Sequence, residues 1–215
     1  MSDAARNLEW TTVTIMAIQV RDASRCKFDI LALGECMVRL APPGHGRIEF
    51  ARTLEIDVGG GESTLVDDLL AREYKNVTVL DLSPTAIDVT KKRLGAAAQL
   101  VRWLATNVTE ADLAPQAYDV WHDRAVFHFL IEKEARIAYV RQVGRAVRPG
   151  GHVIVGTFGP RGPKKCSGLD VVRYDAESLH GEFGVKFELV ENCSELHTTP
   201  WDTTQQFLYC LCRVE

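Results

Sequence analysis

The sequence predicts an α/β protein built on a doubly wound, mostly parallel sheet that ends in an antiparallel hairpin. Three observations point there. From about residue 54 onward, apolar strand-like runs alternate with segments of helical period, the pattern of a parallel sheet with helices on both faces. A glycine cluster, Gly59-Gly60-Gly61, stands where an apolar run gives way to a helical pattern. The chain closes with two extended runs, Phe187 to Leu196 and Phe207 to Val214, around Thr198-Thr199-Pro200-Trp201-Asp202.

In chain order, residues 1–27 hold one short apolar patch, Val13 to Val20, and are expected to be poorly ordered. Phe28 to Leu40 is strand-like, Ala41-Pro42-Pro43-Gly44-His45-Gly46 is turn chemistry, and Arg47 to Val58 is a second extended stretch; a hairpin is the simplest reading. The regular pattern then gives a strand at 54–58, a helix at 62–73, a strand at 77–81 and a helix at 84–94. Strands follow at 100–105 and 118–122, then a helix at 132–147, a strand at 152–157 and a helix at 175–183. With the two closing runs this makes seven strands in one sheet. Ser83-Pro84 sets a capping hydroxyl before a proline at the first helical position, where a missing N–H does no harm. Pro149-Gly150-Gly151 is expected to stop the preceding helix. The domain reading is thus an extended or hairpin segment over 28–53 and one α/β domain over 54–215.

Composition narrows the class. At 215 residues, 46% apolar and 25% charged, the chain can bury a sizeable core. A net charge of -4 carries no electrostatic footprint for nucleic acid. The six cysteines follow no CxxC or metal-type spacing and read as reduced thiols of a cytoplasmic protein. His122 and His128 stand six apart without a HExxH pattern, so no metal site is expected. No apolar run approaches the roughly 18 residues a membrane span needs.

The ligand follows from charge. Asp81 ends the second strand of the pattern, 24 residues after Asp57, where a carboxylate accepts both hydrogens of a ribose diol. Asp57 and Glu62 bracket the glycines and would repel a pyrophosphate, while Thr64 replaces the last glycine of GxGxxG and GxxxxGK[ST] is absent. A nucleoside that carries positive charge and no phosphate is the expected cofactor.

These residues resemble class I S-adenosylmethionine-dependent methyltransferases. The landmarks are Asp57-Val58-Gly59-Gly60-Gly61, Asp81, Asn107-Val108, Tyr118-Asp119-Val120-Trp121-His122-Asp123-Arg124 and Arg148-Pro149-Gly150-Gly151, in that order over residues 56–215. The resemblance implies a Rossmann-like fold and S-adenosylmethionine as cofactor. It sets Asp57, Gly59, Gly60 and Gly61 against the amino-acid end of the cofactor, Asp81 and Leu82 at the ribose, and Asn107 and Val108 at the adenine. Asn107 stands where the family usually has an acid, and could still accept through its amide oxygen. The reaction is methyl transfer to a small-molecule or protein-side-chain nucleophile. The Asp-Arg-Ala run is similar to the Asp-Arg-Gly of thiopurine methyltransferases, which makes Asp123 the group that orients or deprotonates the acceptor and His122 a base near neutral pH. The competing reading pairs Asp123 with Arg124 and packs His122. Cys166 to Tyr174 is expected to help shape the acceptor pocket.

A second resemblance overlaps the first. Phe28-Asp29-Ile30-Leu31-Ala32-Leu33-Gly34-Glu35 with Met37 to Gly61 is similar to the amino-terminal strand and lid hairpin of ribokinase-family sugar kinases, 2-keto-3-deoxygluconate kinases in particular. The alternative function is therefore a non-catalytic chimera, a sugar-kinase head on a methyltransferase body with impaired cofactor binding. On that reading residues 1–50 are loosely docked, and their deletion leaves the melting of the body nearly unchanged.

Overall fold

The computed structural model describes residues 30–34, 37–41, 55–59, 65–199 and 202–215. Its elements are β1 (Ile30–Gly34), β2 (Met37–Ala41), β3 (Glu55–Gly59), α1 (Leu65–Ala71), β4 (Val77–Asp81), α2 (Pro84–Leu94), β5 (Val101–Ala105), β6 (Tyr118–Arg124), α3 (Lys133–Ala146), β7 (Val147–Phe158), β8 (Lys165–Cys166), β9 (Leu169–Asp170), α4 (Ala176–Phe183), β10 (Phe187–Thr198) and β11 (Thr204–Val214). The main sheet runs β10-β11-β7-β6-β1-β4-β5. Its strands are parallel from β5 through β7, and β11 is antiparallel to both β7 and β10.

The central strand is where the sequence reading fails. The strand expected at 54–58 to open the parallel sheet is instead β3, paired antiparallel with β2 in a separate two-stranded sheet. Ile30–Gly34 takes the central place, paired on one side with β4 and on the other with β6. The physical reason is composition. A strand flanked on both edges in a helix-covered parallel sheet favours an unbroken apolar run. Ile30-Leu31-Ala32-Leu33 is such a run, whereas β3 carries Glu55 and Asp57. The expected boundary at 53/54 therefore does not divide the chain, and the segment expected to dock loosely supplies the middle of the sheet. The hairpin itself exists, but it is β2 and β3, inserted between the end of β1 and α1. Residues 1–27, expected to be poorly ordered, lie outside the described residues.

The two sheet faces bury separate clusters. Val66 and Leu69 of α1 meet Val77, Val101 and Val120 on one face, with Leu94 of α2 at the margin, and Arg93 of α2 pairs with Asp67 of α1 at 2.8 Å. On the other face Tyr139, Val143 and Ala146 of α3 and Leu179 and Phe183 of α4 pack on Trp121, Val153 and Val155. Caps behave as the sequence suggests. Ser83 Oγ accepts from the Ala86 N–H at 3.3 Å, and Asp175 and Ser178 form a reciprocal capping box on α4.

The Arg148-Pro149-Gly150-Gly151 segment differs from expectation. The helix already ends at Ala146, and β7 begins at Val147 with a register shift against β6 between Tyr118 and Val120. Gly150 has φ +75, and a Cβ on Gly151 would lie 2.7 to 2.9 Å from Val147 Cγ1 and the carbonyl oxygens of Arg148 and Asp119. Both glycines are thus required here, one by conformation and one by space. Arg148 Nε donates to the buried Asp119 carboxylate and fixes the irregular start of the strand.

Candidate functional site

In a parallel sheet the carboxyl ends of the strands form the edge where ligands bind. That edge is assembled here from β1, β4, β5, β6 and β7, and most of the expected residues fall on it.

Asp81 ends β4 and is 5% exposed. Its Oδ1 accepts from the Ser83 N–H at 2.7 Å, and its carbonyl accepts from the Thr106 N–H at 3.0 Å. The ends of β4 and β5 are thereby tied, which brings Asp81 and Asn107 to neighbouring strand ends. Leu82 beside it is 74% exposed, an apolar side chain held at the edge. Asn107 differs from expectation. Its amide oxygen already accepts from the Thr109 N–H at 3.0 Å and from Thr109 Oγ1 at 2.9 Å, so the group left for a ligand is the amide NH2, a donor. Val108 is 5% exposed and packs in the core with Leu80, Ala111 and Leu113.

Asp57 and Gly59 lie on β3 rather than at the end of the central strand, a place that Gly34 of β1 holds beside Arg124. Gly59 pairs with Met37, only three residues past Gly34, so Gly59 lies within about 15 Å of the end of β1. Gly60 and Gly61, which lead on to α1, lie outside the described residues.

Of the two expected catalytic groups, Asp123 is buried and His122 half-buried. Asp123 is fully buried, and both of its oxygens are occupied. Oδ1 accepts from the Val126 N–H at 2.9 Å; Oδ2 accepts from the Phe127 N–H at 3.1 Å and from the Tyr139 hydroxyl at 2.5 Å. Tyr139 in turn accepts from Trp121 Nε1 at 2.9 Å. Asp123 is thus the anchor of the turn after β6, where Ala125 is held at φ +66. Burial pushes its carboxyl up to about 6 against the pull of these three donors. His122 is half-buried on the opposite face, with Nδ1 buried and unpartnered. Burial and the Arg124 charge push its pKa down to about 4, so it is neutral at pH 7 and a weak base. Nor does Asp123 pair with Arg124. Arg124 Nε donates to the Tyr209 hydroxyl at 2.9 Å, and its guanidinium lies 4.4 Å from the centroid of the Phe207 ring. Sequence reasoning missed Tyr139 and Tyr209, which lie 16 and 85 residues from their partners, because no local pattern links them.

In the segment after β7, Asp170, Val171, Val172 and Arg173 line an open cleft with Pro160 and Lys164, and the side chains of Asp170 and Arg173 also make contacts within the segment. Tyr174 is 3% exposed and packs on Phe127, Asp170 pairs with Lys165 at 3.2 Å, and Arg173 donates to the Pro160 carbonyl at 2.8 Å. Among the described residues no cluster of His, Cys, Asp and Glu could hold a metal ion, and no helix is long and apolar enough to cross a membrane.

Comparison with known proteins agrees with this geometry. Residues 56–153 match the methyltransferase domain family. No curated protein matches the chain. Among solved structures it is similar to the N-methyltransferase NodS of Bradyrhizobium japonicum in complex with S-adenosyl-L-homocysteine, at 16% identity and a TM-score of 0.59, over 87% of this chain and 78% of that one. A SAM-dependent methyltransferase of Methanosarcina mazei gives 12% identity and 0.61, over 86% and 92%. The 1,6-didemethyltoxoflavin-N1-methyltransferase of Burkholderia thailandensis, with its substrate and S-adenosylhomocysteine bound, gives 19% and 0.58, over 87% and 71%. The match begins at Ile56, so the sequence profile starts on the segment that the structure places in the hairpin and continues through the sheet around β1. The fold is shared with solved SAM-dependent methyltransferases, and residues 56–153 match the methyltransferase domain family in sequence.

Proposed function

We propose that this protein is a S-adenosylmethionine-dependent methyltransferase acting on a small-molecule or protein-side-chain nucleophile. The observation that carries the reading is the carboxyl edge between β4 and β5. A buried acid ends one strand, an exposed leucine follows it, and an amide donor projects from the next turn, a set that fits a ribose diol and a purine. Asp81 would hold the ribose, Leu82 would cover the nucleoside, and the Asn107 amide would donate to a ring nitrogen of the adenine. Gly59, Gly60 and Gly61, with Asp57, would lie along the amino-acid end. The cofactor supplies an electrophilic methyl group on a sulfonium, and the chain's task is to hold the two reactants in line. Because Asp123 and His122 are committed to the fold, no side chain among them is assigned as a base.

The test is calorimetric titration with S-adenosylhomocysteine. Wild-type protein should bind, and Asp81→Ala should lose about ten- to a hundredfold in affinity, the loss of charge-assisted hydrogen bonds. Equal affinity of the two proteins would overturn the assignment of the nucleoside to this edge.

A further inference from the structure

One register row crosses the carboxyl edge. Gly34 pairs with Arg124, Arg124 with Gly156, and Gly156 with Tyr209. One step on from the pair Leu33 and Leu80, Gly34 and Asp81 end their strands side by side. Asp81 and Arg124 therefore stand two strand spacings apart, roughly 9.5 Å between Cα atoms, with glycine between them. The Tyr209 ring lies across Gly156, where a Cβ would come within 2.6 Å of it, and so reaches over β7 to brace Arg124.

Arg124 is half-buried, and none of the ion pairs among the described residues includes it. Of the titratable neighbours on which its charge acts, His122 and His128 are neutral at pH 7, and the Tyr209 hydroxyl that accepts from Arg124 Nε is also hydrogen-bonded to Glu195. With Nε bonded to Tyr209, the two Nη groups remain as a planar fork of donors. A partly desolvated cation held in fixed orientation, with no direct ion pair among the described residues and Glu195 reached only through Tyr209, suits a ligand that brings an anionic group of its own. One guanidinium and no second cation in the row match a planar monoanion better than a phosphate.

We infer that Arg124 is a specificity-determining residue that receives a carboxylate of the methyl acceptor, on the side of Gly34 away from the nucleoside. The inference rests on the methyltransferase reading above, and it identifies the acceptor class as small carboxylate-bearing molecules.

Benzoate and its neutral isostere benzamide are the probes, titrated into protein saturated with S-adenosylhomocysteine while the arginine Nε–H signals are followed by NMR. Benzoate should bind saturably and shift the Arg124 signal, with benzamide about tenfold weaker or more. Arg124→Met should lose benzoate by about ten- to a hundredfold and keep S-adenosylhomocysteine affinity within about twofold. Tyr209→Phe should retain the preference for benzoate, because the charge stays. If Arg124→Met does not fold, Arg124→Gln serves in its place. Equal binding of the two probes, no benzoate binding, or undiminished benzoate binding by the variant overturns the inference. Parallel loss of S-adenosylhomocysteine also overturns it, since Arg124 would then hold the cofactor. Failure of wild-type protein to bind S-adenosylhomocysteine refutes the methyltransferase reading instead, and the benzoate titration of the ligand-free protein still decides whether Arg124 takes a carboxylate.

Discussion

Replacing Asp123 by Asn should lower the melting temperature by about 5–15 °C at pH 7 while leaving cofactor affinity in place. In the native protein the carboxylate takes three hydrogen bonds, from the Val126 and Phe127 N–H groups and from Tyr139. An amide keeps one acceptor oxygen. If that oxygen stays on Val126, the amide nitrogen faces the Phe127 N–H and the Tyr139 hydroxyl, and a buried donor is left unmatched. Losing the tyrosine bond and stranding one N–H each cost about 1–3 kcal/mol, and relief from burying a charge returns part of it. A net loss of about 2–4 kcal/mol at roughly 2–4 °C per kcal/mol gives the stated range. The pH dependence adds a second check. The folded pKa of about 6 lies above the unfolded value near 3.9, so the folded state holds a proton that the unfolded chain releases. The stability this contributes is fully present below about pH 4 and is lost as pH rises through 6. The gap between wild type and variant should therefore widen on acidification from pH 6 to 4, by up to about 3 kcal/mol. Calorimetric melting across that range measures both effects. A variant with unchanged melting but lost turnover would refute the structural role and return Asp123 to the acceptor side.

Three further outcomes follow from the same structure. The histidines His122 and His128, with folded pKa values of about 4 and 3 below the ordinary 6.5, contribute stability that is present above pH 6.5 and lost as pH falls; opposed by Asp123, they should cost a net amount on the order of 4 kcal/mol between pH 6.5 and 4 in acid-unfolding curves, and a flat profile would count against their burial. Gly151→Ala should destabilise by about 1–3 kcal/mol in urea, because the new methyl meets two backbone carbonyl oxygens that cannot turn aside; a neutral effect would mean that the start of β7 is looser than described. Amides of Leu31 to Leu33 should exchange only by global unfolding, as slowly as those of β4 and β6, whereas fast exchange there with slow exchange at Ile56 to Val58 would show that β3 and not β1 holds the centre of the sheet.

How legible the fold was depended on whether local signals and burial agreed. They agreed at Val77–Asp81 and Pro84–Leu94, where an apolar run, a capping serine and an N1 proline all mark the same residues. They disagreed at the central strand. Ile30–Gly34 and Ile56–Gly60 are both short strand-like stretches ending in glycine, and the three glycines drew the assignment to the second. Ile30-Leu31-Ala32-Leu33 is the unbroken apolar run of the two, and it takes the place between β4 and β6, while the segment with Glu55 and Asp57 pairs outside the main sheet. The site was legible in part for the same reason. Asp81 is a strand-end acid whatever surrounds it, but its burial and its bond to the Ser83 N–H mean that removing it also costs stability, contrary to an exposed acid. The Asp123-Arg124 pair in the sequence looked like one unit. The pleat sends the two side chains to opposite faces, one to Tyr139 and the other to Tyr209, and only the tertiary fold supplies those partners.

The central claim is that the edge between β4 and β5 holds the nucleoside, and mapping S-adenosylhomocysteine onto the backbone amides by NMR tests it most directly. Saturable shifts should concentrate at Leu82, Ser83, Asn107 and Thr109, with the outer strand β10 silent. Saturable shifts that cluster away from the ends of β4 and β5, or none at all, would contradict it.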